Sequence, residues 1–284
     1  MVVRDNTIPA VAPRPGEKKR RAFGEVPGLR TLAFCFLAFL YLPIGVLVAY
    51  SFNDGNIVMV WTGFSTDWYV KVFGNADIRK AALNSVIVAV SATAIATTCA
   101  TLAALALARG GAFRGKGATL GIITLPLMVP EIVTAVATLV FFSSIGLNLG
   151  LGNVIIAHTT FCIPFAFMPI RARLEGMDTT LEQASRDLYA SDWETFRLVT
   201  LPLLMPGVLA GAMLSFVISM DDFIITLMVA GAGDTTLPVY IYSMIRQGIT
   251  PEVNAVSSIL LLFSIVMVTA YWFTTRQKPG PNAH

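Results

Sequence analysis

Residues 177–202 read MDTTLEQASRDLYASDWETFRLVTLP, and the interpretation of the whole chain starts from them. This acidic segment is the most charged stretch of a 284-residue chain in which 55% of the residues are hydrophobic and 13% are charged. It lies between two strongly apolar blocks. Its pattern of polar and apolar residues predicts two short amphipathic helices joined by a turn. We expect another protein to contact this segment at the membrane surface.

Two capping boxes are predicted at the starts of these helices. In the first, Thr180 is the N-cap residue and Gln183 is its partner, and in the second Ser191 and Glu194 take these positions. The dipeptide Leu-Pro at 201–202 is expected to end the second helix, after which a membrane span begins.

The first helix also carries an apolar stripe, because Leu181, Ala184 and Leu188 recur at helical spacing. Such a helix either lies on lipid or docks to a protein. Helices that lie on lipid are usually rich in Lys and Arg. The two predicted helices hold two bases against the four acids Glu182, Asp187, Asp192 and Glu194. The excess of acids favours docking to a protein.

Six apolar blocks are long enough to cross a hydrocarbon core of about 30 Å at a rise of about 1.5 Å per residue. The blocks are 31–52, 81–108, 118–147, 149–170, 203–220 and 254–273. They predict an all-α polytopic membrane protein with six transmembrane helices. Pro126 and Pro130 lie inside the third block and predict a kink there.

The distribution of Lys and Arg predicts the orientation. Of the 20 bases, 16 fall on one side of a six-span arrangement, which places both termini in the cytoplasm. The predicted organisation is a cytoplasmic tail (1–30), a first span (31–52), a periplasmic segment (53–80), a core (81–273) with the acidic segment as its cytoplasmic loop, and a cytoplasmic tail (274–284). The first block is interpreted as an uncleaved span because its 22 residues exceed the apolar region of a signal peptide.

Acidic side chains near the predicted spans are candidate contacts for a transported cation. Glu131 follows Pro130 inside the third block, where an ionised carboxylate costs on the order of 2.5–3.5 kcal/mol. Asp221 and Asp222 end the fifth block, at a helix C-terminus that disfavours acids. A capping or protonated role for Glu131 and a solvated helix end for the aspartates remain open. Tyr242 is a candidate for a cation–π contact, with anchoring at the membrane interface as its alternative.

No set of residues predicts catalysis or a metal site, since neither a CxxC nor an HExxH pattern is present. The stretch GGAFRGKG at 110–117 resembles a phosphate-binding loop, but Gly117 stands where Ser or Thr would hold magnesium. His158 is interpreted as a hydrogen-bonded packing residue or a proton relay. Gly207 and Gly211 form a GxxxG pattern, which predicts close packing with another helix of this chain or of a partner.

The acidic segment resembles the EAA loop of ABC-importer permeases, on the residues Glu182-Gln183-Ala184, 187–191, Phe196, Val199 and Leu201-Pro202. In that family the loop forms a coupling helix that fits a cleft of the cytoplasmic ATPase. The resemblance assigns ATPase coupling to Thr180, Glu182, Gln183, Ala184, Asp187, Leu188, Tyr189, Ala190 and Ser191. Tyr189 departs from the family pattern, which usually has glycine at this position.

Further motifs resemble the C-type subunits of spermidine/putrescine permeases. They are YLPI (41–44), YSFN (50–53), NS (84–85), PEIV (130–133), DDF (221–223), TLP (236–238), IYSM (241–244) and PEVNA (251–255). The resemblance implies a type I ABC-importer permease of the bacterial inner membrane. It implies polyamine import by alternating access, with Glu131, Asp221, Asp222 and Tyr242 on the substrate path.

The partners implied are a second permease subunit, two cytoplasmic ATPase subunits and a periplasmic substrate-binding protein, besides membrane lipid and without nucleic acid. The chain is expected to be non-catalytic and to bind no cofactor, with ATP and magnesium used by the ATPase. A permease for another small cation or solute remains an alternative. A secondary transporter is a further alternative, but it would require internal inverted repeats, which the sequence does not display.

Overall fold

The computed structural model describes residues 28–57, 60–111, 113–248 and 250–275, with the backbone alone for 271–275. Most of the predicted tails, 1–30 and 274–284, lies outside these residues. The helices are α1 (Leu29–Tyr50), α2 (Asp67–Gly74), α3 (Ala76–Arg109), α4 (Lys116–Thr124), α5 (Glu131–Ser144), α6 (Leu151–Glu175), α7 (Thr180–Asp187), α8 (Asp192–Thr195), α9 (Leu201–Asp221), α10 (Ile224–Val229), α11 (Leu237–Gln247) and α12 (Pro251–Thr275). The chain divides into two compact units, Met1–Leu47 and Val48–His284.

The predicted membrane spans are present as helices. Among the described residues, five helices are long and apolar enough to cross a membrane. The bent pair formed by α4 and α5 brings the number of spans to six if the pair counts as one span. Their ends differ from the predicted blocks by a few residues. For example, α3 begins at Ala76, inside the segment 53–80 that was predicted to be periplasmic, and α6 extends to Glu175.

The third apolar block is broken, not merely kinked. After α4, a 3₁₀ turn at Leu125–Leu127 leads to Pro130, and α5 starts at Glu131. The two halves are bent by 104°. Proline donates no backbone hydrogen bond, so Pro126 and Pro130 both interrupt the helical ladder. With 14 residues, α5 is about 21 Å long and too short to cross a membrane alone.

Helices α3, α6 and α9 pack against one another and form the core of the second unit. The buried face of α3 is a stripe of alanines at helical spacing, Ala89, Ala92, Ala96, Ala100 and Ala104, all fully buried. On α9, a Cβ added to Gly211 would lie 2.6 Å from the Ala166 carbonyl oxygen of α6, and one added to Gly207 would lie 2.5 Å from the Arg173 Cβ. Small residues permit this close backbone approach. The GxxxG pattern therefore serves packing within the chain.

The acidic segment forms the two predicted short helices, α7 and α8. The N-cap of α7 is Thr179, so the prediction of Thr180 is wrong by one residue. The reason is that the Asp178 carboxylate accepts a hydrogen bond from the Thr180 backbone N–H at 2.9 Å, and this bond lowers the pKa of Asp178. The second capping box is confirmed, since Ser191 Oγ and the Glu194 carboxylate each accept a backbone N–H of the other residue.

The second helix does not end at 201–202, which corrects the prediction. From α8 the chain continues through a π-helical segment, Phe196–Thr200, directly into α9, so that Asp192–Asp221 is one helix of 30 residues. The Leu201 N–H bonds to the Phe196 carbonyl, five residues back. Pro202 follows this wider turn directly, and the interruption of the regular ladder there accommodates a residue that has no N–H to donate.

Candidate functional sites at the two ends of the bundle

A groove of about 450 Å³ lies at the end of the bundle where α9 finishes. Its walls carry three acids and three aromatic rings, Glu131, Asp221, Asp222, Phe161, Phe165 and Phe223. The break after α4 delivers Glu131 to this groove, since α5 starts there. The structure thus brings together three of the four residues predicted to line a substrate path.

The two neighbouring aspartates have different surroundings. Asp222 is 6% exposed and accepts hydrogen bonds from the Thr226 backbone N–H and hydroxyl, both at 3.0 Å, and from the Ile225 N–H at 3.3 Å. Its carboxylate thereby caps the first turn of α10. Asp221, one residue earlier, is exposed. The alternative of a solvated helix end applies to Asp221 and not to Asp222.

His158 is a further partner of Asp222. Its Nε2 lies 3.0 Å from the Asp222 carboxylate and 2.9 Å from the Thr226 hydroxyl, and its Nδ1 lies 2.8 Å from the Ser219 hydroxyl. The imidazole therefore joins α6 to the end of α9 and the start of α10. Of the two interpretations of His158, this geometry agrees with a hydrogen-bonded packing residue.

Glu131 and Asp221 are the acids that remain accessible in the groove. Glu131 is the first residue of α5, where the helix dipole favours a negative charge, and its side chain is partly exposed. The sequence could not separate a helix-terminal role from a cation contact, and the structure gives Glu131 a position compatible with both. A substrate path through these acids stays a prediction.

Tyr242 lies next to the groove but not in its wall. It belongs to α11, and its ring centroid is 4.8 Å from that of Phe223, which does line the groove. The Arg246 guanidinium lies 5.8 Å from the Tyr242 ring. The ring thus already has a cation over it, and its predicted contact with a substrate is untested.

At the opposite end of the bundle, the acidic segment presents an apolar surface outward. Of the nine residues predicted for ATPase coupling, seven are exposed, Ala190 is partly exposed and Glu182 is buried. The apolar stripe of α7 also points away from the bundle, with Leu181 50% and Leu188 82% exposed, and Trp193 of α8 is 65% exposed. An amphipathic helix normally buries its apolar face. This exposed face is therefore available to a partner.

Tyr189 occupies the turn between α7 and α8. Its φ is +63°, the one positive value among the described residues other than glycine. The Tyr189 N–H bonds to the Arg186 carbonyl at 2.9 Å and the Ala190 N–H to the Ser185 carbonyl at 3.2 Å, which is a Schellman motif. The left-handed position of this motif usually holds glycine. In this chain the same turn forms with tyrosine in the glycine position, and Tyr189 is 98% exposed.

Glu182 faces inward instead. Its carboxylate lies 3.0 Å from Arg109 Nε, at the end of α3, and accepts a hydrogen bond of 3.1 Å from the Thr200 hydroxyl, in the π segment before α9. The role of Glu182 in ATPase coupling stays a prediction, but its side chain is not on the exposed surface of α7.

The family model and the similar proteins of known name all belong to transport-system permeases. Residues 96–280 match the model of binding-protein-dependent transport system inner membrane components. The chain is 41% identical over 245 residues to the spermidine/putrescine transport system permease protein PotC of Escherichia coli K12, covering 86% of this chain and 92% of that protein. It is 36% identical over 247 residues to the putrescine transport system permease protein PotI of the same strain, covering 84% and 88%.

Solved structures show the same fold. A bacterial ABC transporter involved in the import of the acidic polysaccharide alginate matches with a TM-score of 0.67 at 16% identity, covering 87% of this chain and 93% of that chain. An amino acid ABC transporter crystallised with histidines matches with a TM-score of 0.59 at 14% identity, covering 75% and 99%. At these identities the likeness concerns the fold alone.

Proposed function

Since this chain belongs to the family of binding-protein-dependent transport system inner membrane components, we propose that it is a permease subunit of an ATP-driven importer of polyamines. The names of its relatives support spermidine or putrescine as cargo. The observation that carries the proposal on this chain is the groove at the end of α9, where accessible carboxylates stand beside aromatic rings.

The chemistry of the groove suits a flexible polyammonium ion. Glu131 and Asp221 offer two carboxyl groups, and hydrogen bonds from an ammonium group to their oxygens replace part of the hydration that the ammonium group loses. Phe161, Phe165 and Phe223 provide faces for cation–π contacts and apolar walls for the methylene groups between the nitrogens. A small inorganic cation has no methylene groups to contact the apolar walls, and an anionic solute is repelled by the acids.

The proposed assembly operates in a bacterial inner membrane by alternating access. A periplasmic binding protein delivers the polyamine at the end of the bundle that holds the groove. A second permease subunit completes the path, so the functional transporter is a heterodimer of permeases. Two ATPase subunits hydrolyse ATP with magnesium, and this chain itself catalyses no reaction and binds no cofactor.

The exposed surface of the acidic segment is the proposed docking site for one ATPase subunit. Leu188, Tyr189 and Trp193 supply the large apolar groups, and aromatic side chains are frequent anchors of interfaces. Asp187 and Ser191 lie beside them and are exposed. Such a site converts movement of the ATPases into movement of α7.

The proposal is tested by uptake in proteoliposomes that contain the complete assembly, with labelled putrescine and spermidine. Uptake is expected to require ATP and the binding protein, and excess unlabelled polyamine is expected to abolish it. Transport of another small cation in the same assay, without polyamine transport, would favour the alternative cargo. Uptake that persists without ATP and is driven by an ion gradient would favour a secondary transporter and contradict the proposal.

A further inference from the structure

Glu182 joins three elements at the end of the bundle opposite the groove. It lies on α7 and is 7% exposed. Its carboxylate contacts Nε of Arg109, the last residue of α3, with oxygen distances of 3.0 Å and 3.3 Å. Thr200 is 4% exposed and directly precedes α9. Its hydroxyl donates a hydrogen bond of 3.1 Å to the same carboxylate.

The chemistry of these contacts makes them strong and directional. A buried carboxylate is costly unless it is both paired with a cation and hydrogen-bonded, and Glu182 has both kinds of partner. Charge-assisted hydrogen bonds are roughly twice as strong as neutral ones. Among the described side chains, no second carboxylate contacts Arg109, whose Nη2 is buried without a hydrogen-bond partner. Arg109 therefore depends on Glu182 as its counter-ion.

Among the described residues, no other side chain of α7 is hydrogen-bonded to α3. Ser185 bonds to the Thr195 hydroxyl at 3.0 Å, within the acidic segment. Arg186 contacts Asp192 at 3.2 Å, again within the segment, and both side chains are largely exposed, so this pair is worth little. Over the described part of the chain, Glu182 is thus the one α7 side chain that is hydrogen-bonded to α3, and it shares with Ser185 the hydrogen bonds to the helix 192–221 that continues as α9.

The helix that receives this contact also reaches the groove. Thr200 ends the π-helical segment, and α9 then runs without interruption to Asp221 in the groove wall. Because π segments are rare and often mark functional sites, we expect a change in helical geometry to occur at the start of α9. Along its length, α9 packs on α3 and α6.

We propose that the Arg109–Glu182–Thr200 link carries displacement of α7 to α3 and α9, and that Glu182 acts as a positioning residue without touching the ATPase. This inference rests on the proposed function, in which an ATPase moves α7. The docking surface includes the exposed apolar face of α7, and the link starts from the buried face of the same helix. The exposed apolar face receives the movement, and the buried carboxylate transmits it.

The test separates transmission from docking by exchanging the charges. The complete assembly is purified and reconstituted with Glu182→Gln, with Arg109→Glu, with Glu182→Arg, and with Arg109→Glu and Glu182→Arg together. We expect each single variant to retain the ATPase during purification but to lower ATP-driven uptake about tenfold, because the coupling between sites is lost. The double variant is expected to recover most of the uptake, since the ion pair is restored in reverse.

The matched control is Glu175→Gln, which breaks an ion pair of 2.6 Å to Arg171 within α6, at the same end of the bundle, and joins no two elements. It should change uptake less than twofold, as expected for an exposed pair. Loss of the ATPase from the single variants would mean that Glu182 contacts the ATPase and would overturn the inference. If the single variants assemble poorly, the double variant decides, because uptake that stays low in an assembled double variant equally overturns it.

Failure of the proposed function is a separate result. In that case the unmodified assembly transports no polyamine or retains no ATPase, before any variant is compared. The melting temperature of each variant adds a readout for a purely structural role. A structural role lowers stability and uptake in parallel, whereas transmission leaves ATP hydrolysis running while uptake falls.

Discussion

His158 Nε2 lies 3.0 Å from the Asp222 carboxylate, and the two side chains are 1% and 2% exposed. The contact joins α6 to the turn at which α9 gives way to α10. Since the same carboxylate also caps α10, one residue fixes both the end of the long helix and the start of the short one. The pair thereby positions the neighbouring Asp221 at the groove.

His158→Ala is expected to lower the free energy of unfolding by about 3 kcal/mol, because it removes one partner of a buried polar pair and leaves the Asp222 carboxylate undercompensated. His158→Gln keeps a donor and should lose less. Unfolding of the purified assembly in detergent measures both. Thr160→Ala is the control, since its exposed hydroxyl bonds only to the backbone of α6. A loss no larger than that of the control would show that the pair does not support the fold.

Glu131→Gln and Asp221→Asn are each expected to lower polyamine uptake about tenfold with assembly intact, because each replaces a carboxyl group of the groove by a neutral amide. The two changes together should lower it further. Uptake of labelled spermidine across a series of concentrations is the measurement. Unchanged uptake in Glu131→Gln would leave this residue with its helix-terminal role alone.

Tyr189→Gly is expected to change two properties in opposite directions. Removing the side chain from a left-handed position should stabilise the turn by about 1 kcal/mol. Loss of an exposed aromatic anchor should weaken binding of the ATPase by about 2 kcal/mol. Tyr189→Ala serves as the comparison, because it removes the ring but keeps a Cβ at positive φ. Binding of the ATPase to the permease pair that is as tight with glycine as with tyrosine would exclude Tyr189 from the docking surface.

Gly211→Ala is expected to destabilise the packing of α9 on α6 by about 1–3 kcal/mol. The new Cβ would lie 2.6 Å from the Ala166 carbonyl oxygen and 3.2 Å from its Cα, both backbone atoms that cannot move aside independently. Gly121→Ala in α4 is the matched control, because nothing lies within 4 Å of its added Cβ. Equal stability of the two variants, measured by thermal unfolding, would show that α6 and α9 separate without cost.

Local patterns in the sequence predicted most of the helices. The apolar blocks located the spans, and Ser191 with Glu194 predicted a capping box, since both signals depend on neighbouring residues. The errors arose where two local signals compete. The spacing of Thr180 and Gln183 predicts an N-cap at Thr180, but the Asp178 carboxylate accepts the backbone N–H of Thr180. The dipeptide at 201–202 is typical of a helix end, but the π turn before it lets the helix continue.

The sites were less predictable because they depend on contacts between distant residues. Glu182 was identified from its position in a motif, yet its inward orientation follows from Arg109 and Thr200, which no spacing rule connects to it. The pairing of His158 with Asp222 was missed for the same reason. The complementary charges of two ionisable residues in apolar blocks were the only signal that pointed to it.

The stripe of alanines on α3 and the glycines of α9 have a consequence for motion. A surface of methyl groups and bare backbone has shallow ridges, so neighbouring helices are not interlocked by large side chains along its length. Small sliding of such helices past one another, known as shear, meets little steric resistance. Polar contacts then set the register at the two ends, through Glu182 at one and His158 at the other. A core of this kind allows the bundle to shift as a set of rods without opening its interior to lipid.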